Sequence, residues 1–210
     1  MKRASPDDWL RAGLGLVRER GPDALTIDAL CRALGLTKGS FYHHFADIDA
    51  YQERLLDFWE LASTAAPIAD ADLAKGGADR RRRLYDAVAR IELRVERAIQ
   101  AWALHDPRAR VARARVDERR LAYLARIWEE EGATQARARM FAQIEYASFL
   151  GSLSLYDLDT GPGTKKAREL SKQVVGTLRR ELVASAASSS TAPTSPPTPR
   201  AKPPRTRARA

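Results

Sequence analysis

The 210-residue chain contains one cysteine, two methionines and three histidines, and only 7% of it is aromatic. A lone cysteine can form no disulfide within the chain, which excludes a stapled extracellular scaffold. No apolar run approaches the roughly 20 residues that a helix needs to cross a bilayer. The opening run, Met1-Lys2-Arg3-Ala4-Ser5-Pro6-Asp7-Asp8, leads into charged sequence and lacks the apolar segment of a secretory signal. Strand-like alternation is missing. So are a Cys/His cluster at metal-ligand spacing, a phosphate-binding loop, a Glu-x-x-His pattern and a nucleophile motif. These absences describe a soluble cytoplasmic protein with no membrane partner, no metal site, no cofactor and no sign of enzymatic chemistry.

What is present is charge and helix-forming sequence. Hydrophobic residues make up 44%, enough for a core, and the net charge is +9. That charge is unevenly spread. Residues 1–60 carry 8 basic and 10 acidic side chains, net −2; residues 61–183 carry 23 and 17, net +6. Residues 184–210 carry Arg200, Lys202, Arg205, Arg207 and Arg209 with no acid, net +5, and hold six of the eleven prolines. That final segment has no apolar residue larger than alanine, so it cannot bury enough surface to offset its ordering entropy. It reads as a disordered basic tail over 185–210.

The rest predicts an all-α chain, rich in Ala, Leu, Arg and Glu with breakers spaced like helix ends. Helices are expected at about 6–20, 26–34, 37–44 and 47–65, the last stopping ahead of Pro67. A further helix spans 79–102, with Leu84, Val88, Ile91, Val95, Ile99 and Trp102 at helical spacing. Others cover 107–114, running or kinking into 116–131, then 134–155 and 165–184. The 134–155 helix is apolar around most of its circumference and should be buried on several sides. Arg80-Arg81-Arg82-Arg83 reads as a solvated helix start, unfavourably placed against the helix dipole.

The segment from Leu25 to Phe45 holds two short helices joined through Gly35, the arrangement of a helix-turn-helix. Leu30, Leu34, Leu36, Phe41 and Phe45 face a core, and Cys31 is a small packing residue. Thr26, Thr37, Lys38, Gly39, Ser40, Tyr42, His43 and His44 are the DNA-binding candidates. Thr37 can offer a hydroxyl to phosphate, Lys38 can reach a guanine edge, and Tyr42, His43 and His44 can donate to phosphate oxygens. Gly39 lets backbone approach closely. The adjacent histidines point about 100° apart on a helix, which does not suit a metal.

Thr37-Lys38-Gly39-Ser40-Phe41-Tyr42-His43-His44-Phe45, behind Gly35-Leu36 and a preceding helix ending at Gly21, resembles the DNA-binding signature of TetR/AcrR-family transcriptional regulators. The resemblance covers about residues 6–60. It implies a helix-turn-helix domain over 1–49, joined by a long helix to an antiparallel helical bundle over 50–184 that binds an effector and dimerises. It further implies a homodimer on a palindromic double-stranded DNA operator, with a small-molecule effector controlling a repressor. One position departs from the pattern: Ile48 stands where the family often places a lysine that touches phosphate, between Asp47 and Asp49.

Arg97, Trp102, His105, Tyr123, Trp128, Phe141, Glu145, Tyr146 and Phe149 are candidates for lining an effector cavity, since pockets combine aromatic walls with a few polar groups. Core packing is the simpler reading of each aromatic taken singly. Ser148, Gly151, Ser152, Leu170, Val174 and Leu178 are candidates for a four-helix dimer interface. The alternatives are an effector-independent, nucleoid-like DNA binder, which the basic tail favours, and a helical-bundle enzyme or carrier.

Overall fold

A computed structural model describes residues 4–190 of the chain. Among them are ten α-helices and no strand: α1 (Pro6–Arg20), α2 (Ile27–Leu34), α3 (Lys38–Tyr42), α4 (Ile48–Glu60), α5 (Ala66–Ala71), α6 (Gly77–Val88), α7 (Leu93–Ala103), α8 (Pro107–Glu130), α9 (Gln135–Leu155) and α10 (Gly161–Ser190). None is long and apolar enough to cross a membrane.

Local chemistry sets the first four. A reciprocal pair of hydrogen bonds between Ser5 and Asp8 caps α1, and Gly21 at φ 77° ends it. Thr26 caps α2 by accepting from Ala29 N at 3.1 Å, and Gly35 at φ 66° supplies the left-handed turn into α3. Trp9, Leu30, Phe41, Tyr51 and Leu55 are fully enclosed between α1, α2, α3 and α4. The Phe41 ring lies 5.6 Å from both Trp9 and Tyr51, and Tyr51 Oη donates to Trp9 O at 2.8 Å. The core thus fixes the angle at which α3 projects.

Several expected boundaries fall elsewhere. The helix beginning at Ile48 does not stop before Pro67. Residues Leu61–Ala65 form a π-helical turn, and α5 continues to Ala71 with Pro67 in its first turn. Proline has no N–H for the carbonyl four residues back. That carbonyl, of Ser63, accepts instead from Arg120 Nη2 at 3.2 Å. The expected single helix over 79–102 is two, broken at residues 89–92 without glycine or proline. Leu84 and Val88 pack with Trp128 and Phe141, whereas Ile99 and Trp102 pack with the core of the first four helices. One straight helix cannot serve both cores, and Glu92 caps α7 by accepting from Arg94 N.

The two expected helices over 107–131 are one uninterrupted α8. Helix α10 begins at Gly161 and runs to Ser190, so residues 185–190 are helical and are not part of a disordered tail; residues 191–210 lie outside the described residues. Helix α9 is not buried all round: Phe141, Tyr146 and Leu153 are enclosed, while Met140, Ile144 and Leu155 are exposed.

Candidate DNA-binding face and ligand cavity

Thr37, Lys38, Gly39, Tyr42 and His43 lie exposed on one side of the helix-turn-helix, while Ser40 and His44 are half-buried. Thr37 is the N-cap of α3, yet its hydroxyl makes no cap bond and stays available. Thr26 is exposed, but its hydroxyl oxygen is committed to capping α2. Lys38 Nζ rests 2.9 Å from Asp28 Oδ1 on α2, and this carboxylate raises the lysine's pKa. His44 turns away from the open face, its Nε2 3.0 Å from the carbonyl of Ala4. Its ring centroid lies 4.9 Å from that of His43.

The start of α4 explains how Ile48 is accommodated. Ile48 packs half-buried against the N-terminal core. Asp47 caps α4 by accepting from Ala50 N at 2.7 Å, and Asp49 accepts from Arg108 Nη1 at 2.7 Å. Both acids beside the DNA-facing surface are therefore engaged within the chain.

The same contact begins a ladder that fastens α4 to α8. Arg108 also donates to Gln52, Arg115 donates to Asp57 and Glu60, and Arg120 donates to Ser63 and Thr64 of the π-helical turn. At its far end the ladder reaches a cavity of about 100 Å³ between α5, α6, α8, α9 and α10. Its apolar lining includes Pro67, Ile68, Leu84, Val88, Leu124 and Phe149.

Four of the sequence candidates line this cavity: Tyr123, Glu145, Tyr146 and Phe149. Five do not. Arg97 pairs with Asp159 at 3.2 Å near the surface, His105 is exposed, and Trp102 belongs to the N-terminal core. Trp128 and Phe141 stack edge to face behind the wall, 5.1 Å between centroids. Helical periodicity identified their inward direction but not which of two cores each would enter.

Arg120, Tyr85 and Ser171 line the cavity and were missed. Arginines on an apparently solvated helix gave no signal for burial. Arg81 and Glu145 form a buried pair, each side chain only 4% exposed. Arg81 Nη1 donates to both Glu145 oxygens, at 2.9 and 2.8 Å, and its guanidinium lies 4.0 Å over the Trp128 ring. Arg81 and Arg179 both donate to Glu131. Burial pushes the Glu131 pKa up, but these two cations outweigh it and hold the carboxyl below its ordinary value. Arg80 is also buried, against Asp72 and Glu130, so the solvated reading holds in position only for the exposed Arg82 and Arg83.

The interface candidates divide similarly. Ser152 is buried and donates to Phe149 O, and Leu178 is buried in the core of its own chain, so neither is open to a partner. Leu170 and Val174 are half-buried, Ser148 is half-buried and donates to Glu145 O, and Gly151 is exposed. Among the described residues no group of three His, Cys, Asp or Glu could hold a metal ion.

Residues 10–50 match the sequence pattern of the bacterial regulatory proteins, tetR family. The helix-turn-helix is of the tetR-family type. No curated protein matches the chain in sequence. In fold, it is similar to a TetR transcriptional regulator from Legionella pneumophila, with 15% identity and a TM-score of 0.68 over 82% of this chain and 98% of that one. The regulatory protein TetR from Rhodobacter sphaeroides is 19% identical with a TM-score of 0.62, over 83% and 96% of the two chains. A transcriptional regulator from Saccharomonospora viridis, solved in complex with choline, is 16% identical with a TM-score of 0.63, over 81% and 95%. A TetR/AcrR regulator binds DNA through its helix-turn-helix, and the matched segment contains every DNA-binding candidate named above.

Proposed function

We propose that the chain is a ligand-responsive repressor that binds a palindromic operator as a homodimer. The observation that carries this reading is the joining of two sites by one continuous ladder of side-chain hydrogen bonds and ion pairs. The exposed face of α3 is followed directly by α4, and the arginines of α8 fasten α4 to the wall of the cavity. Residues 1–49 act as the DNA-binding domain and 50–184 as the effector and dimerisation domain. Thr37, Lys38, Gly39, Ser40, Tyr42 and His43 meet DNA, with Thr26 and His44 positioning the two helices. The choline complex of a structural neighbour supports a small-molecule effector for this fold.

In a dimer, two copies of α3 enter successive major grooves roughly 34–36 Å apart. The partner surface is the open side of α9, where Met140, Ile144, Ala147, Gly151 and Leu155 are exposed and recur at helical spacing. The ligand shifts the balance between DNA-competent and incompetent forms by its differential affinity for them. In vitro selection from random DNA, repeated with a ligand library, tests the reading. It should return an inverted repeat that is released by ligand. Recovery of no preferred sequence would favour a nucleoid-like binder.

A further inference from the structure

The chemistry of the cavity wall narrows what can occupy it, on the reading that the cavity is the effector site. Two charged side chains reach it, Arg120 and Glu145. Arg120 has five N–H groups, and all five are directed at partners. Nε donates to Thr64 Oγ1, Nη1 to Glu96 at 2.8 Å and more distantly to Tyr146, and Nη2 to the carbonyl and hydroxyl of Ser63. Glu145 is equally committed. Both its oxygens accept from Arg81, one also from Tyr85 Oη at 2.9 Å and the other from Trp128 Nε1 at 2.8 Å.

The other polar groups are also occupied. Tyr146 donates to Asp117 and Tyr123 to Asp72, while the hydroxyls of Ser63 and Thr64 serve Arg120. One differs. Ser171 on α10 is 9% exposed, lines the cavity, and has no hydrogen-bond partner among the described residues.

We infer that the cavity selects a small, uncharged, mainly apolar molecule with one hydrogen-bonding group, and that this group meets Ser171. A carboxylate would have to draw Arg120 away from Glu96, leaving a buried anion unpaired. An ammonium would have to draw Glu145 from Arg81. Both exchanges strip a buried charge of its partner, which is strongly unfavourable. An uncharged ligand leaves both pairs intact and replaces water against apolar wall. The volume sets the scale: a dry cavity of about 150 Å³ admits benzene, so about 100 Å³ suits a single ring with slight side-chain adjustment.

The test is calorimetric titration of the full chain with toluene, benzyl alcohol, benzoate and benzylamine at neutral pH. Benzyl alcohol should bind at least about tenfold tighter than either ion. Ser171→Ala should weaken benzyl alcohol about five- to tenfold, the loss of one hydrogen bond, and leave toluene unchanged. Benzoate or benzylamine binding as tightly as benzyl alcohol overturns the inference, as does binding by none of the four. Unchanged benzyl alcohol affinity in Ser171→Ala overturns the role of Ser171. DNA release is read separately by fluorescence anisotropy on the selected operator. Benzyl alcohol that binds without changing DNA affinity leaves the ligand class standing and overturns the ligand-responsive reading instead.

Discussion

At Gly39 an added Cβ would meet only Thr37 Oγ1, at 3.7 Å, and the backbone there has no positive φ. Nothing inside the protein requires glycine at this position, and alanine is the better helix former by about 1 kcal/mol. Gly39→Ala is therefore expected to leave the melting temperature equal or higher while weakening operator binding, read by thermal denaturation and anisotropy together. Lys38 poses a different question, because its partner Asp28 stands beside it on the DNA-facing side. Asp28→Asn should release the lysine and remove an anion that opposes phosphate. Affinity for random DNA should then rise, and the slope of log affinity against log salt should steepen by about 0.9, one further phosphate neutralised. A fall in affinity confined to the operator would instead make Asp28 the residue that orients Lys38. The Leu25–Phe45 motif places both residues in a helix-turn-helix, but their pairing across α2 and α3 depends on the crossing angle that Phe41 and Tyr51 impose.

Among the elements, α8 has the largest share of the charge chemistry. Its outer arginines, such as Arg115, make exposed pairs worth little individually. Arg120 is different, because its side chain is 13% exposed and that of Glu96 is 4%. It touches the π-helical turn, α7 and the cavity together. Arg120→Met should destabilise the protein by about 3–5 kcal/mol in urea denaturation, chiefly by leaving Glu96 buried and unpaired. Adding Glu96→Gln should recover part of that loss. The α4–α5 segment shows why this hub was hidden in the sequence. Pro67 signals a helix end, and locally that inference is sound. The helix continues because a guanidinium 53 positions away takes the carbonyl that the proline leaves free. The 89–92 break has the opposite character: no breaker marks it, and only the demand of two separate cores produces it.

For the whole molecule, the +9 charge does not describe the DNA-binding end, which sums to −2 over residues 1–60. Much of the arginine in the body is spent internally, on Glu131, Glu145, Glu96 and Glu130. Acid stability should reflect this. Glu131 has a folded pKa below its unfolded value of about 4.3. It therefore contributes stability that is fully present above that unfolded value and is lost as pH falls through the folded one. Melting temperature should drop below about pH 4. Glu131→Gln should lower it at neutral pH and flatten the acid limb; an unchanged limb would assign acid sensitivity to other carboxylates.

The sequence by itself determined the class of the protein. Capping residues, Gly21 and Gly35, and the run from Thr37 to Phe45 act over a few positions, so the helix-turn-helix and its exposed face were legible without coordinates. Apolar spacing, a local property, also indicated an inward stripe on several later helices, though not on α9, whose exposed side it missed. Which inward residues meet was decided only by tertiary structure. Arg81 and Glu145 are 64 positions apart, and Arg120 and Ser63 are 57 apart. An arginine looks the same in sequence whether water or a distant glutamate neutralises it. The cavity, its compensated charges and the lone Ser171 hydroxyl exist only because five helices converge, and that convergence is a property of packing.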